Sequence, residues 1–391
     1  MAFSLVFYNA ILLFSTLFIW LSEKASTVGQ RKLCTVIAFL IVFLPAALRY
    51  EIGIDYFSYK IIFESIRDGI DPFLQSKMEP GYYFLNWIVA KLSGEFESLI
   101  IIIAFLITSF FFKSYPKKHK AIFHLILWTV VYFETFNTLR SMLAGAVLLY
   151  AVMSYSREEK LYSYIFLVLL AAMFHKSAFL FLFIPVFFQK SFVKNLSKAK
   201  VVFPLLIVIS VLFGQPIIEF VFNSSLTATL GFSRYVDSWY NKEVELGTGL
   251  GVFSVLIFFI YALVVASKPL ERKSSILIAV VLLSAISVAL ASYVTIFYRI
   301  KLLFIIGFPL AVLLILDGPR KQFSTVIIVM FLTLNLFNFN RGILNGSTDY
   351  METCRGARIT PYVSVFNKED SKRDPHLTRF ARWCDAYFEN K

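Results

Sequence analysis

The chain has 391 residues, 58% of them hydrophobic and only 16% charged, with a mean hydropathy of +0.72. A water-soluble domain has no use for that much apolar surface, so the composition predicts an all-α, polytopic membrane protein. The net charge of +13 does not signal nucleic acid, because the basic residues sit in short loops between apolar segments, where membrane orientation explains them.

The first apolar segment, 3–21, follows no basic stretch and predicts a retained helix rather than a cleaved signal. Further segments at 33–48, 98–112, 121–136, 139–154, 161–173, 176–188, 201–222, 250–267, 274–296, 299–316 and 322–338 bring the expectation to about twelve transmembrane helices. The loops 22–32, 113–120, 155–160, 189–200, 267–275 and 317–322 carry eighteen Lys and Arg against five acids. The alternate connections before the tail carry eleven against twelve. The positive-inside bias therefore assigns the first set to the cytoplasm and both termini to the outer face.

That parity constrains the ambiguous stretches. Residues 80–112 must cross an odd number of times, so 98–112 is the span and Pro80–Leu92 an interfacial or re-entrant helix. Residues 161–188 have basic flanks on both sides and must turn back at their only polar break, His175-Lys176-Ser177. Each arm is roughly 20 Å long against a hydrocarbon core of about 30 Å, which places the turn below the outer surface in a watered, outward-facing cavity. Two outer loops are long, 49–97 and 223–249, and a polar tail, 339–391, follows the transmembrane domain 1–338 as an outer cap. Cys354 and Cys384 share that tail, as a disulfide if it lies outside the cytoplasm or as two free thiols. Asn223 and Asn345 match the N-glycosylation pattern, a match that is common by chance.

The candidate chemistry lies at the outer turns. Arg49, in Arg49-Tyr50-Glu51-Ile52-Gly53-Ile54-Asp55, follows the second span; its guanidinium could fork onto a diphosphate, Gly53 permits a tight bend, and Asp55 is a nearby acceptor. The bland alternative is a snorkelling arginine. Glu79 precedes Pro80 either as a helix cap or as a base at a cavity rim. Arg140 and Arg299 stand alone at turns without lysine clusters, and Arg234 lies in the second long loop. Lone arginines at the turns of different hairpins could converge on one anion. His175 is the one histidine expected at membrane depth, either a structural hydrogen bonder or a base; Glu219 is a lesser candidate. The acid pairs Glu95/Glu97 and Glu243/Glu245 are too weak to predict a metal, and no phosphate-binding glycine loop or serine elbow is present, so neither metal nor cofactor is expected.

Taken together, Leu48-Arg49-x3-Gly53-x-Asp55-Tyr56-x2-Tyr59, Glu79-Pro80-Gly81-Tyr82 with Asn86, Arg140-x3-Ala144, Phe174-His175-Lys176-Ser177-Ala178 and Tyr298-Arg299 resemble, in order, the EpsG-like branch of the Wzy-type polysaccharide polymerases. The resemblance covers about residues 40 to 310 and leaves the tail unmatched. It implies a metal-independent polymerase that joins undecaprenyl-diphosphate-linked oligosaccharide repeat units on the outer face of the bacterial inner membrane. Arg49, Arg140, Arg299 and Arg234 would hold the diphosphate, and Asp55, Glu79 or His175 would act as base. Tyr56, Tyr59, Tyr82 and Tyr298 would line the cavity. Lipid-linked donor and acceptor are the expected partners, with membrane lipids and a chain-length regulator as further candidates. A lipid-linked oligosaccharide flippase or a glycan ligase is the alternative, the former disfavoured by the absence of an internal repeat.

Overall fold

The structure is a computed structural model that describes residues 2–69, 78–187, 196–222, 250–266, 272–293, 295–318, 321–345 and 359–371. Arg234, the loop 223–249 and both tail cysteines lie outside those residues, as does Asn223. Among the described residues the chain is helical apart from one isolated antiparallel bridge, Arg49 with Ser364. Among the described residues five helices are long and apolar enough to cross a membrane, or seven if two bent pairs each count as one span. The chain is thus the polytopic helical membrane protein that its composition requires. Among the described residues further apolar segments form shorter helices, Lys120–Val131, Leu161–Ala172, Gly251–Ala266 and Ser275–Leu290.

Two compact units form. The first comprises Met1–Tyr150, Leu170–Lys176 and Leu334–Lys391. In it, α1 (Ala2–Lys24) packs along α2 (Val28–Ala47) and α6 (Lys120–Val131), while α5 (Phe96–Lys113) covers another side of α2. Thr27 and Gln30 form a reciprocal capping box that starts α2, with Gln30 N donating to Thr27 Oγ1 at 3.2 Å. Two further helices fill the expected long loop: α3 (Tyr56–Arg67) and α4 (Pro80–Leu92), packed on each other. α4 has the bounds expected from its Glu-Pro-Gly start; α3 had read as loop. The short α7 (Glu134–Asn137) then leads into α8 (Leu139–Glu158). The apolar stretch of α8 is 72% buried, against 11% for α2, so α8 is an interior helix and α2 a lipid-facing one. Residues 359–371 of the tail lie against this unit: Tyr50 N donates to Val363 O and Val365 N to Leu48 O, both at 2.9 Å.

The block 161–188 breaks where its polar residues stand. α9 (Leu161–Ala172) ends in a turn in which Phe174 N and His175 N both donate to Ala171 O at 3.0 Å. The second arm differs from expectation: Lys176–Phe183 is a 3-10 helix, followed by one α turn, α10 (Ile184–Phe187). A 3-10 helix rises about 2.0 Å per residue rather than 1.5 Å, so eight residues reach further than an α-helix of equal length would.

The second unit, Ala151–Leu169 and Ser177–Thr333, is organised around α14 (Arg272–Leu290), which touches α11 (Leu196–Leu212), α12 (Gly214–Phe222), α13 (Leu250–Ala266), α15 (Thr295–Phe304) and α16 (Gly307–Leu316). The last helix, α17 (Lys321–Leu344), begins here and returns to the first unit. Both bent pairs share one device. α11 and α12 meet at 77°, where the Tyr293 hydroxyl donates to Val211 O and the Tyr293 ring lies so close to Gly214 that a Cβ there would come within 2.4 Å of it. α15 and α16 meet at 44°, where Ser284 Oγ reaches Phe304 O at 2.7 Å and occupies the space of a Gly307 Cβ, 1.9 Å from where it would stand. At each break a hydroxyl satisfies a carbonyl freed from its helix, and a glycine makes room for the donor. Gly307→Ala should therefore lower stability by about 1–3 kcal/mol, read as a depressed thermal midpoint of the detergent-purified protein; an unchanged midpoint would mean that the break tolerates a side chain.

Candidate functional site

The site in the first unit starts from the turn between α2 and α3. Glu51 takes a left-handed backbone (φ 53°) and Gly53 a φ of 108°, which only glycine adopts cheaply. A Cβ on Gly53 would lie 2.5 Å from Phe136 O, so the turn presses directly on the α7 backbone. Asn137 Oδ1 accepts from Ile54 N at 2.9 Å and locks the two segments together. Asp55, at the start of α3, and Arg140, at the start of α8, are both fixed by this junction.

Arg140 Nη1 donates to Glu79 Oε2 at 2.6 Å. The guanidinium lies 5.7 Å above the Tyr82 ring, and the Tyr59 and Tyr82 rings meet edge to face at 5.8 Å. Burial, with Asp55 adding to it, raises the Tyr59 pKa to about 12, so that phenol keeps its proton at neutral pH. The Arg140 side chain is nonetheless 33% exposed and Glu79 12%. It is a partly exposed cation paired to a mostly buried carboxylate.

Glu79 is positioned in turn by the backbone. Gly81 N donates to Met173 O at 2.9 Å, and a Gly81 Cβ would lie 2.7 Å from Met173 Cβ. This hydrogen bond fastens the start of α4 onto the break after α9. Glu79 and His175 each stand two residues from the bonded pair, so one contact brings the expected acid and the expected imidazole into one neighbourhood. His175 is half-buried.

Arg49 is placed differently. It is 1% exposed, with Nη1 bonded to Ala46 O and its guanidinium 4.9 Å over the Phe136 ring. The phenols of Tyr56, Tyr362, Tyr132 and Tyr8 surround it, and desolvation pulls its pKa down to about 10, still far above neutral. The expectation that Arg49 faces an open hollow beside Arg140 is not met: it is turned inward and covered. Tyr56, expected in the cavity wall, belongs to this enclosure, whereas Tyr59 and Tyr82 belong to the Arg140 group. Arg299 and Tyr298 lie on α15 in the second unit, where Tyr298 is exposed and Lys301 Nζ sits 4.4 Å over its ring. Glu219 is exposed on α12 and accepts from Gln215 at 3.3 Å. No group of three metal-ligating side chains occurs among the described residues.

Asn137, the Gly81–Met173 junction, and Tyr8, Tyr132 and Tyr362 were not singled out by the sequence. Asn137 had a signal, since it stands three residues before Arg140 in the same polar stretch; the phenols did not, because interfacial tyrosines are common in membrane proteins.

These features define a multi-pass membrane protein with a cation and acids gathered at helix ends. The EpsG family matches residues 32–353, most of the chain, and the protein belongs to that family, a Wzy-like branch of the polysaccharide polymerases. No curated protein and no solved structure is similar enough to match. The family gives the coarse activity: a glycosyltransferase-like polymerase acting in polysaccharide biosynthesis.

Replacing Arg140 by Gln leaves a mostly buried carboxylate without its cation, and the cost should be about 1–3 kcal/mol. The Glu79→Gln/Arg140→Gln double variant should recover part of that loss. A thermal-melt double-mutant cycle that shows no coupling would mean that the pair contributes nothing to the fold.

Proposed function

We propose that the protein extends a polysaccharide by joining undecaprenyl-diphosphate-linked oligosaccharide repeat units on the outer face of the cytoplasmic membrane. The observation that carries this reading is Arg140, a partly exposed guanidinium at the N-terminal end of α8. A helix N-terminus already favours anions, and a guanidinium adds a bidentate fork suited to a diphosphate. In the proposed reaction the donor's diphosphate takes the Arg140 fork. An acceptor hydroxyl attacks the donor's anomeric carbon, the bond from that carbon to the diphosphate oxygen breaks, and undecaprenyl diphosphate leaves with the charge that Arg140 stabilises. The hydroxyl proton goes to His175, Asp55 or Glu79. His175 is favoured because its ordinary pKa lies near neutral and because the Gly81–Met173 contact ties its turn to Glu79. The glycosyl-diphosphate bond supplies the driving force, so the chemistry has no need of a metal or a nucleotide. Tyr59 and Tyr82 hold Arg140 in place, while Arg49 supports the frame.

The test uses the full-length protein in lipid, a defined lipid-linked repeat unit and a gel of the products. A length ladder is expected. Bare translocation would replace this reading by a flippase, and a single new conjugate would replace it by a ligase. Arg140→Lys should lower polymer yield at least about tenfold despite keeping the charge, because an ammonium cannot reproduce the fork. Normal polymerisation by that variant would remove Arg140 from the reaction. Arg299→Lys in the same assay decides whether the second unit's arginine shares the role expected of it from the sequence.

A further inference from the structure

The described tail segment, residues 359–371, lies beyond the family-matched residues and has no part in the reaction proposed above. It is nonetheless fastened to the first unit at both ends. The Tyr8 hydroxyl donates to Ile359 O at 2.8 Å, Tyr362 N to Ser4 Oγ at 3.3 Å and the Tyr362 hydroxyl to Pro45 O at 3.0 Å, so the first half joins α1 to α2. Main-chain bonds then pair Val363 with Tyr50 and Val365 with Leu48 around the Arg49–Ser364 bridge. The second half is stiffened by Asn367, whose Oδ1 accepts from Ser364 N at 2.7 Å and whose Nδ2 donates to Asp370 Oδ2 at 2.9 Å. Beyond it Ser371 Oγ donates to Glu51 Oε2, and Lys368 Nζ reaches Glu97 Oε1 at 2.9 Å. That ion pair is too open to solvent to carry the attachment, which falls to the main-chain bonds and the Glu51 contact.

These bonds to the α2–α3 turn fall on residues 48–51, whereas its contacts with Phe136 and Asn137 fall on Gly53 and Ile54. The turn is therefore held from two directions. It needs both, because Glu51 carries a side chain at a φ of 53°, and such a conformation persists only where its surroundings over-determine it. Arg140 follows Asn137 by three residues. We propose that residues 359–371 are a positioning strap for Arg140: they fix the α2–α3 turn, the turn fixes Asn137 through Ile54 N, and the α7–α8 junction is thereby held with its guanidinium in place. A slack strap lets Glu51 relax, loosens Ile54 from Asn137 and moves the fork from where it meets the donor's diphosphate. The effect on catalysis rests on the polymerase reading; the mechanical coupling from strap to Asn137 does not.

The test uses Val365→Pro in the full-length protein in lipid, which removes the N–H that Leu48 O accepts and alters no side chain of the Arg140 group. Val365→Leu keeps that N–H and is the control. Amide hydrogen exchange should quicken several-fold in Val365→Pro at Tyr50 and also at Ile54, while the interior of α8 keeps its protection. In the polymerisation assay the same variant should show a several-fold higher KM for the lipid-linked repeat unit and need several-fold more inorganic pyrophosphate for half-inhibition. Loss of folded protein alone would lower the yield and leave both constants unchanged. Val365→Leu should match the unaltered protein throughout. If Val365→Pro does not fold, Ser371→Ala, which releases the Glu51 carboxylate, should shift the same readouts in the same direction by less. Faster exchange at Tyr50 with none at Ile54 would overturn the strap, as would a loosened Ile54 with both constants unmoved. An unaltered protein that makes no ladder would refute the polymerase reading instead, and exchange at Ile54 would then decide the strap by itself.

Discussion

Cations at helix ends inside an apolar frame impose the constraint from which the first unit is built. Arg49 stands just past the C-terminus of α2, where the helix dipole and the Ala46 carbonyl favour a positive charge. It can be buried there, provided that something covers it. Arg140 stands at the second residue of α8, where the dipole opposes it, so it requires a carboxylate. Glu79 supplies that carboxylate at 2.6 Å, and Glu79 must in turn be held. The start of α4 is accordingly pinned to Met173 O, which demands glycine at position 81 and a chain break after α9. Glycine at position 81 and the break after α9 thus belong to what holds a cation at the helix end that its dipole disfavours.

The second unit meets a different demand with the same economy of parts. In an apolar surrounding a broken helix leaves carbonyls that no water can reach, so each bend carries its own hydroxyl, from Tyr293 or Ser284. The adjacent glycine is dictated by that donor's bulk and not by its own backbone angle. Gly214 and Gly307 therefore differ in kind from Gly53, whose left-handed φ would strain any other residue even if space were available.

What could be read from the sequence followed from local rules. The start of α4 was legible because Glu-Pro-Gly is a helix-entry signal, and the break at His175 because parity forced a turn at the only polar residues present. α3 falls in the stretch 49–97 that reads as an outer loop, although Tyr56, Tyr59, Phe63 and Ile66 are buried at helical spacing. The 3-10 geometry of Lys176–Phe183 has no sequence signature apart from its context. The separation of Arg49 from Arg140 was out of reach, since both follow apolar segments in polar turns. The burial of Arg49 involves Phe136, nearly ninety positions further along the chain, which only folding brings beneath the guanidinium.

The Arg140–Glu79 pair also bears on how a clamp can be ready without being blocked. A fully buried ion pair would be costly to open, because separating it strands a desolvated charge; a fully exposed one would not fix the guanidinium's direction. This pair lies between those limits, with 33% of the arginine side chain open and the Tyr82 ring 5.7 Å from the guanidinium as a second contact. In the proposed reaction an incoming diphosphate competes for the same fork with more charge and more acceptor oxygens than one carboxylate offers. The exchange frees Glu79 at the moment when a hydrogen-bond acceptor is needed for the second sugar, so a contact that first positions the cation afterwards makes an acid available beside the bound donor.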